Sequence, residues 1–298
     1  MSEKIQNRDI KFKEWLVMWL EMYKRYSLKP STYERYRYAA AVFEDADFPL
    51  CELTVEYLQS KVNQMYLEGK SSSTIRQAVV CARMAIRKAV ILGYIPQGFA
   101  AYCDLLEIPQ RKPRKVSSLS PFEVRRILQR CQTWDGYGSL FRFLLCTGAR
   151  VGEAIALKWS DIDFENRSIS IERTDYRGTL QNAKTDNSAR VIPLGSDTAA
   201  LLRVIEHRSE WVFCKSNFQR VDYRGVLRDW HKLLDDLELP RCGLHTLRHT
   251  YATQALRCGV NAVVVASLLG HSDSSFTLRR YCDANYDDMR SAVRKINF

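Results

Sequence analysis

Apolar residues recur at helical spacing from the start of the chain. Phe12, Trp15, Leu16, Trp19, Leu20 and Tyr23 fall on one face of a helix over residues 9–26, a stripe suited to a core rather than to a ligand. The run Lys29-Pro30-Ser31-Thr32-Tyr33-Glu34 holds a Ser-x-x-Glu capping box and predicts a second helix reaching about Phe43. Thr54 is placed to cap a third helix that runs to Glu68 and ends at Gly69. Ser73-Thr74 opens a fourth, from about Ile75 to Leu92, closed by Gly93. Four helices with short connections make a small bundle. Periodicity then stops: residues 109–118, PQRKPRKVSS, combine two prolines with four positive charges and read as an extended linker. Ser120-Pro121-Phe122-Glu123 is a second capping box with Pro at the first helical position, so a new domain begins there.

In that second domain, Tyr137 to Cys146 is an apolar helix. Gly148 permits a tight turn before a helix starting near Arg150, with Glu153 one turn later on the same side and Val151, Ala154, Ile155 and Leu157 facing a core. Ser168 to Arg173 alternates Ile with polar residues, a strand pattern. Residues 180–188 and 190–194 look like two more strands around a turn rich in Asp, Asn and Ser, with Lys184 at or near that turn. Ser196 is expected to cap the next helix, and Trp211-Val212-Phe213 to form a strand that leads through the basic, aromatic stretch from Lys215 to Trp230. His245 to Cys258 reads as a helix anchored by Leu244, Leu247, Tyr251 and Leu256, with His245 and Arg248 three residues apart on one face. Gly259 ends it; Asn261 caps a largely apolar helix containing Val263, Val264, Val265, Leu268 and Leu269, closed by Gly270-His271. The expected fold is mainly α with a small antiparallel β-sheet in the second domain (α+β). The expected domains are 1–108, a linker at 109–118, and 119–298.

Composition narrows the function classes. The chain has 298 residues, of which 46% are apolar, enough for two cores. No apolar run reaches membrane-spanning length, and the polar N-terminus MSEKIQNRDIKFK lacks a signal-peptide pattern. Nine scattered cysteines without a C-x-x-C pair read as reduced cytosolic thiols rather than disulfides or a zinc site. The formal charge of +11 is compatible with a polyanionic partner, although on charge alone a basic protein with a solvated surface is the better reading. By segment the charge is +2 over 1–108, +4 over 109–118 and +5 over 119–298, so positive charge is densest in the linker.

Candidate chemistry sits in residues 244–281, where His245, Arg248, His271 and Tyr281 follow one another in an order that suits phosphoryl transfer. Taken singly, an His-x-x-Arg pair or a C-terminal Tyr is usually packing, and the Arg150-Glu153 pair is usually structural. In this order they resemble the tyrosine recombinase (phage integrase) family, whose pattern is H-x-x-R, then G-H or G-W, then a nucleophilic Tyr. The string TGARVGEAIALKW around Arg150 resembles the family's first catalytic-arginine motif. Residues 184–194, KTDNSARVIPL, match its K-T-x-x-S-x-R-x-x-P-L string position for position.

The resemblance implies a helical, SAM-like core-site DNA-binding domain over 1–108, a basic linker that lets two domains close on duplex DNA, and a catalytic domain over 119–298. It implies Arg150 and Arg248 as phosphate clamps, with Glu153 holding Arg150 in place. Tyr281 is the implied nucleophile, Lys184 the acid for the leaving oxygen, His245 an acid/base group and His271 a hydrogen-bond donor to phosphate. His249 is assigned to packing, and Tyr281 is preferred to Tyr286 for its spacing from Gly270-His271. Expected DNA contacts on the bundle are Lys29, Thr32, Arg35, Tyr36, Lys70, Ser73, Thr74 and Arg76, clustered near helix starts where free N–H groups suit phosphate. Ordinary capping and a solvated face explain those residues without the resemblance. The linker adds Arg111, Lys112, Arg114 and Lys115.

Implied partners are double-stranded DNA, further copies of the chain in a tetramer, and accessory DNA-bending proteins, with no membrane. Neither metal nor cofactor is expected, because guanidinium groups supply the positive charge. The tail after Tyr281, with Met289, Val293 and Ile296 on one side, is expected to be a helix that docks on a neighbouring subunit or is merely terminal. Some integrases carry an additional N-terminal domain for distant arm sites; here the expected bundle begins almost at Met1, which is read as either an arm-less enzyme or a truncated one. Two other readings stay open: a type I topoisomerase of the same chemistry, and a catalytically silent DNA-binding regulator on this scaffold.

Overall fold

The computed structural model describes residues 10–111, 118–182 and 189–270. The chain divides into two units, Met1–Arg114 and Lys115–Phe298.

In the first unit the aromatic stripe forms helix α1 (Phe12–Trp19), and the chain continues through a π-helical turn at Leu20–Lys24. Phe12, Trp15, Leu16, Trp19 and Leu20 are all buried, and the Trp15 indole N–H donates to the Ala85 carbonyl at 3.0 Å. Helix α2 is Pro30–Ala40, α3 is Val55–Leu67 and α4 is Ser72–Ile91, with a short α5 at Phe99–Tyr102. Thr54 caps α3 as expected, accepting from the Tyr57 N–H at 3.1 Å. Two helix starts differ from expectation. Pro30 takes the first position of α2, its fixed φ being preorganised for a helix, so Ser31 already lies inside and no side chain caps the end. Helix α4 begins earlier than Ser73-Thr74, because Ser71 accepts from the Thr74 N–H at 3.1 Å.

The chain leaving the bundle is pinned to it. Ser72 Oγ donates to the Pro109 carbonyl and accepts from the Arg111 N–H, each at 2.8 Å, while the Arg111 guanidinium lies 4.3 Å from the Tyr66 ring and donates to the Tyr66 carbonyl.

The second unit opens with α6 (Pro121–Arg130), which carries the full Ser120/Glu123 capping box. Helices α7 (Gly138–Thr147), α8 (Val151–Ile155), α9 (Ser196–Val204), α10 (Tyr223–Asp236), α11 (His245–Arg257) and α12 (Ala262–Leu269) follow, with strands β1 (Ile162–Asp163), β2 (Ser168–Ile171), β3 (Arg173–Tyr176), β4 (Thr179–Asn182) and β5 (Arg190–Pro193) between α8 and α9 in the chain. Gly195, not Ser196, occupies the cap position of α9. The Trp211-Val212-Phe213 segment makes one isolated bridge, from Trp211 to Lys158, rather than a strand. Helix α10, capped by Asp222 on the Gly225 N–H at 2.8 Å, lies within and beyond the stretch read only as basic and aromatic. Its apolar face of Val226, Trp230, Leu233 and Leu234 is buried against Phe141 and its neighbours.

Strand pairing corrects one expectation. Residues 180–188 and 190–194 do not pair around a turn among the described residues. Instead β4 pairs antiparallel with β3, and β5 pairs antiparallel with β2 in a sheet of order β1-β2-β5. The β3–β4 hairpin turns through Arg177 and Gly178, both at positive φ (51° and 88°), the geometry of a two-residue primed turn. Among the described residues no helix is long and apolar enough to cross a membrane.

Candidate active site at the end of helix α12

Helix α7 ends on Gly148 in the left-handed conformation (φ 64°), and only glycine fits there. A Cβ would sit 2.4 Å from Tyr251 Cδ1 and 2.9 Å from Leu269 Cδ2, so α11 and α12 pack directly on this turn. Two residues later Arg150 sits just before α8 in extended backbone, and Glu153, one turn on, reaches back to it. Glu153 Oε2 accepts from the Arg150 backbone N–H at 2.8 Å, and Oε1 from Arg150 Nη1 at 2.7 Å.

Glu153 meets a second guanidinium. Arg190, on β5, donates Nη1 to Oε1 at 3.0 Å and Nη2 to Oε2 at 2.9 Å. The carboxylate is only 5% exposed; burial alone would raise its pKa, but the hydrogen bonds and charge of Arg190, with Arg150 beside it, hold it below the usual carboxylate range.

Three arginines then converge on the last carbonyls of α12. Arg190 Nε donates to the Leu268 carbonyl at 2.7 Å, Arg248 Nη2 to Leu269 at 2.7 Å, and Arg150 Nη2 to Gly270 at 3.2 Å. These are the oxygens a helix leaves without intrahelical partners, at the negative end of its dipole. Arg248 Nη1 also donates to the Gly148 carbonyl at 3.0 Å, which ties α11 to the α7 turn. Among the described residues the cluster holds three guanidiniums against one carboxylate, an excess of positive charge. Arg150 is its accessible member: its side chain is 37% exposed, against 7% for Arg190, and Arg248 as a residue is 1% exposed.

Of the residues expected at the site, Arg150, Glu153 and Arg248 come together here. His245 opens α11 and is exposed, whereas Arg248, one turn on, is buried, and the His245 ring lies edge-on to His249 at 4.6 Å. His249 itself is buried. Lys184, His271 and Tyr281 lie outside the described residues, as do Lys112, Arg114 and Lys115 and the tail with Met289, Val293 and Ile296. Sequence reasoning assigned nothing to Arg190. Its signal was present, since Arg190 is the arginine of the K-T-x-x-S-x-R string, but its partners are distant in sequence.

On the bundle, Lys29, Arg35, Lys70, Ser73, Thr74 and Arg76 are exposed and Thr32 is half-buried. Lys70 lies 3.8 Å from Glu68, and Thr74 Oγ1 is 2.8 Å from Ser71 Oγ. Tyr36 is turned into the packing, its ring centroid 6.3 Å from that of Trp19 and its hydroxyl 3.4 Å from Met84 Sδ.

Comparison with known proteins fits this geometry. The Phage integrase family model matches residues 117–288, more than half of the chain. The chain belongs to the phage integrase family. It is 26% identical over 329 aligned positions to a "Tyrosine recombinase XerC-like" protein of Caldanaerobacter subterraneus subsp. tengcongensis, covering 97% of this chain and 83% of that one. It is 29% identical to the transposase from transposon Tn916 of Enterococcus faecalis, over 52% of this chain and 44% of the relative. In fold it is similar to the Tn1549 transposon integrase in complex with a circular intermediate DNA, with a TM-score of 0.80 at 19% identity, covering 96% of this chain and 100% of that one. The family match includes all three arginines of the cluster, and also Lys184, His271 and Tyr281.

Proposed function

We propose that this member of the family is a site-specific DNA recombinase, which cuts and rejoins double-stranded DNA through a 3′-phosphotyrosyl link at Tyr281. The observation that carries the reading is the cluster at the end of α12: Arg150 half-exposed and oriented by Glu153 and the Gly270 carbonyl, with Arg248 on the adjacent carbonyl. A phosphodiester is a monoanion, and attack on it builds further negative charge. Permanently protonated guanidiniums that donate in pairs suit that charge, each well-placed donor being worth roughly 3 kcal/mol in the transition state.

In the proposed step the Tyr281 oxygen bonds to phosphorus while the bond to the 5′ oxygen breaks, leaving a phosphotyrosine on the 3′ side and a free 5′ hydroxyl. Lys184 supplies the proton that the leaving oxygen takes up, and His245 accepts the proton that the phenol loses. His271 donates a hydrogen bond to a non-bridging oxygen. One phosphodiester replaces another of similar energy, so rejoining by a 5′ hydroxyl requires no nucleotide cofactor. Exchange between two duplexes requires four strand cuts and one nucleophile for each, which supports a tetramer on DNA. The basic linker and the exposed Lys29, Arg35, Lys70, Ser73, Thr74 and Arg76 are the proposed backbone contacts outside the catalytic unit.

Covalent trapping tests the reading. Wild-type protein incubated with a library of nicked duplexes is expected to leave denaturant-resistant protein–DNA adducts on a restricted set of sites, and Tyr281→Phe to leave none. Adducts that persist in Tyr281→Phe move the nucleophile to another residue, Tyr286 first. Relaxation of any supercoiled plasmid without exchange between two sites indicates a topoisomerase, and the absence of any wild-type adduct indicates a silent DNA-binding protein.

A further inference from the structure

We propose that Arg190 is a positioning residue for phosphoryl transfer: it holds Glu153 so that Arg150 keeps both its direction and its positive charge for the scissile phosphate. This rests on the recombinase reading above.

Glu153 is a single carboxylate shared by two guanidiniums. Each of its oxygens accepts once from Arg150 and once from Arg190. The partition between the two arginines is uneven. Arg190 is nearly buried and presents both Nη atoms to the carboxylate, while Arg150 gives it one Nη and its backbone N–H, places the other Nη on the Gly270 carbonyl and keeps its side chain 37% exposed. Arg190 therefore takes the larger part of the carboxylate's charge. Without it, the same buried carboxylate keeps Arg150 as its one guanidinium partner among the described residues, and at Arg150 an incoming phosphate meets a neutral ion pair instead of a cation.

Among the described residues, Arg190 is itself held from three sides. Its Nε donates to Leu268, its backbone pairs with Ile171 in the β-sheet, and Gly270 packs so closely above it that a Cβ there would lie 3.0 Å from both Cδ and Nη1. One side chain thus joins β5, which follows Lys184 by six residues in sequence, to the helix carrying Glu153 and to the helix end that precedes His271. A lysine has one point charge where the site uses a fork of three nitrogens, so it cannot reproduce these contacts. The competing account is a buried ion pair that serves stability alone, and buried pairs of that kind are common. The two accounts differ in what the chemistry feels.

The test uses full-length protein and nicked duplexes carrying a site recovered by covalent trapping, made with either a normal scissile phosphodiester or an uncharged methylphosphonate. Single-turnover cleavage by Arg190→Gln is expected to fall about 100-fold on the phosphodiester, the scale of a misplaced catalytic group, with DNA affinity near wild type. On the methylphosphonate, which needs less positive charge, the deficit is expected to shrink to about tenfold or less. Arg190→Lys, which keeps a buried cation, should lie nearer to Gln than to wild type, and it replaces Gln as the decisive variant if Arg190→Gln does not fold. Wild-type cleavage by a folded variant, or an equal deficit on both linkages, overturns the proposal. If wild-type protein forms no adduct on either linkage, the recombinase reading falls as well, a result distinct from failure of the Arg190 variants alone.

Discussion

Glu153 shows how one residue sets both stability and charge at the site. The Glu153 carboxylate and the Arg190 guanidinium are each less than a tenth exposed, so neutralising Glu153 takes from a buried guanidinium the carboxylate it is paired with, at a cost of about 3 kcal/mol. Glu153→Gln is therefore expected to destabilise the catalytic unit by about that amount at neutral pH. The pH dependence follows from the direction of the shift. The folded-state pKa lies below the ordinary value of 4.5, because the arginine contacts outweigh burial. A depressed pKa contributes stability that is complete above the unfolded value and is lost as pH falls through the folded one. The gap in urea midpoint between wild type and Glu153→Gln should therefore be constant from pH 7 to about 5 and close at lower pH. A gap that stays the same down to pH 3 would mean that the carboxylate is not the source of the difference.

At the scale of elements, the contact between α8 and β3 decides where the hairpin stands. Gly152 lies inside α8 with no unusual backbone angle, so alanine there should help the helix by about 1 kcal/mol. Space opposes it: a Cβ would sit 2.5 Å from the Asp175 carbonyl and 2.6 Å from Thr174 Oγ1. One of those atoms is backbone, and the strand is held further by ion pairs of Arg220 with Asp175 and Arg173 with Asp161, each at 2.7 Å. Overpacking of this kind costs about 1–3 kcal/mol, so the clash wins and Gly152→Ala is expected to lower stability. Cleavage should fall by more than that stability loss explains, because β4 runs on in sequence toward Lys184. A Gly152→Ala protein with wild-type cleavage and a higher melting temperature would show that the hairpin moves freely.

The same elements mark what could be read from the chain. Helix ends set by local chemistry were legible: Thr54, the Ser120-Pro121-Glu123 box, Gly259 and Asn261 all act within four residues of their partners. Ser31 and Ser73 were misread as caps because Pro30 and Ser71 compete for the same helix starts, and the pattern alone does not rank them. Strand pairing was not legible. The Arg177-Gly178 turn that pairs β4 with β3 has no apolar alternation on either side to announce it. At the site, the motif residues Arg150 and Arg248 could be named from their order, whereas Arg190 acquires its place only when chain segments 37 residues and 78 residues away fold against it.

For the whole molecule, each unit encloses a core of its own, one built on Trp15, Trp19, Leu58 and Ile86, the other on Phe141, Trp230, Leu233 and Leu247. Cutting between Arg111 and Lys112 leaves the Ser72 contacts to Pro109 and Arg111 intact, and both pieces are expected to fold, each with its own cooperative melt. DNA binding should respond differently. Joined by a tether, the second unit to dock sees a high effective concentration, so the full chain should bind a trapped site about 10²–10⁴-fold more tightly than either piece. The salt dependence locates the phosphate contacts. Each neutralised phosphate contributes about 0.9 to the slope of log affinity against log salt, and contributions from two units add. If Lys29, Arg35, Lys70 and Arg76 lie on the DNA backbone, the full chain must show a steeper slope than the piece from Lys112 onward, which retains the basic linker residues Lys112, Arg114 and Lys115. Equal slopes would confine the phosphate contacts to the catalytic unit and its linker, and the exposed basic residues on α2 and α4 would then be ordinary solvated surface.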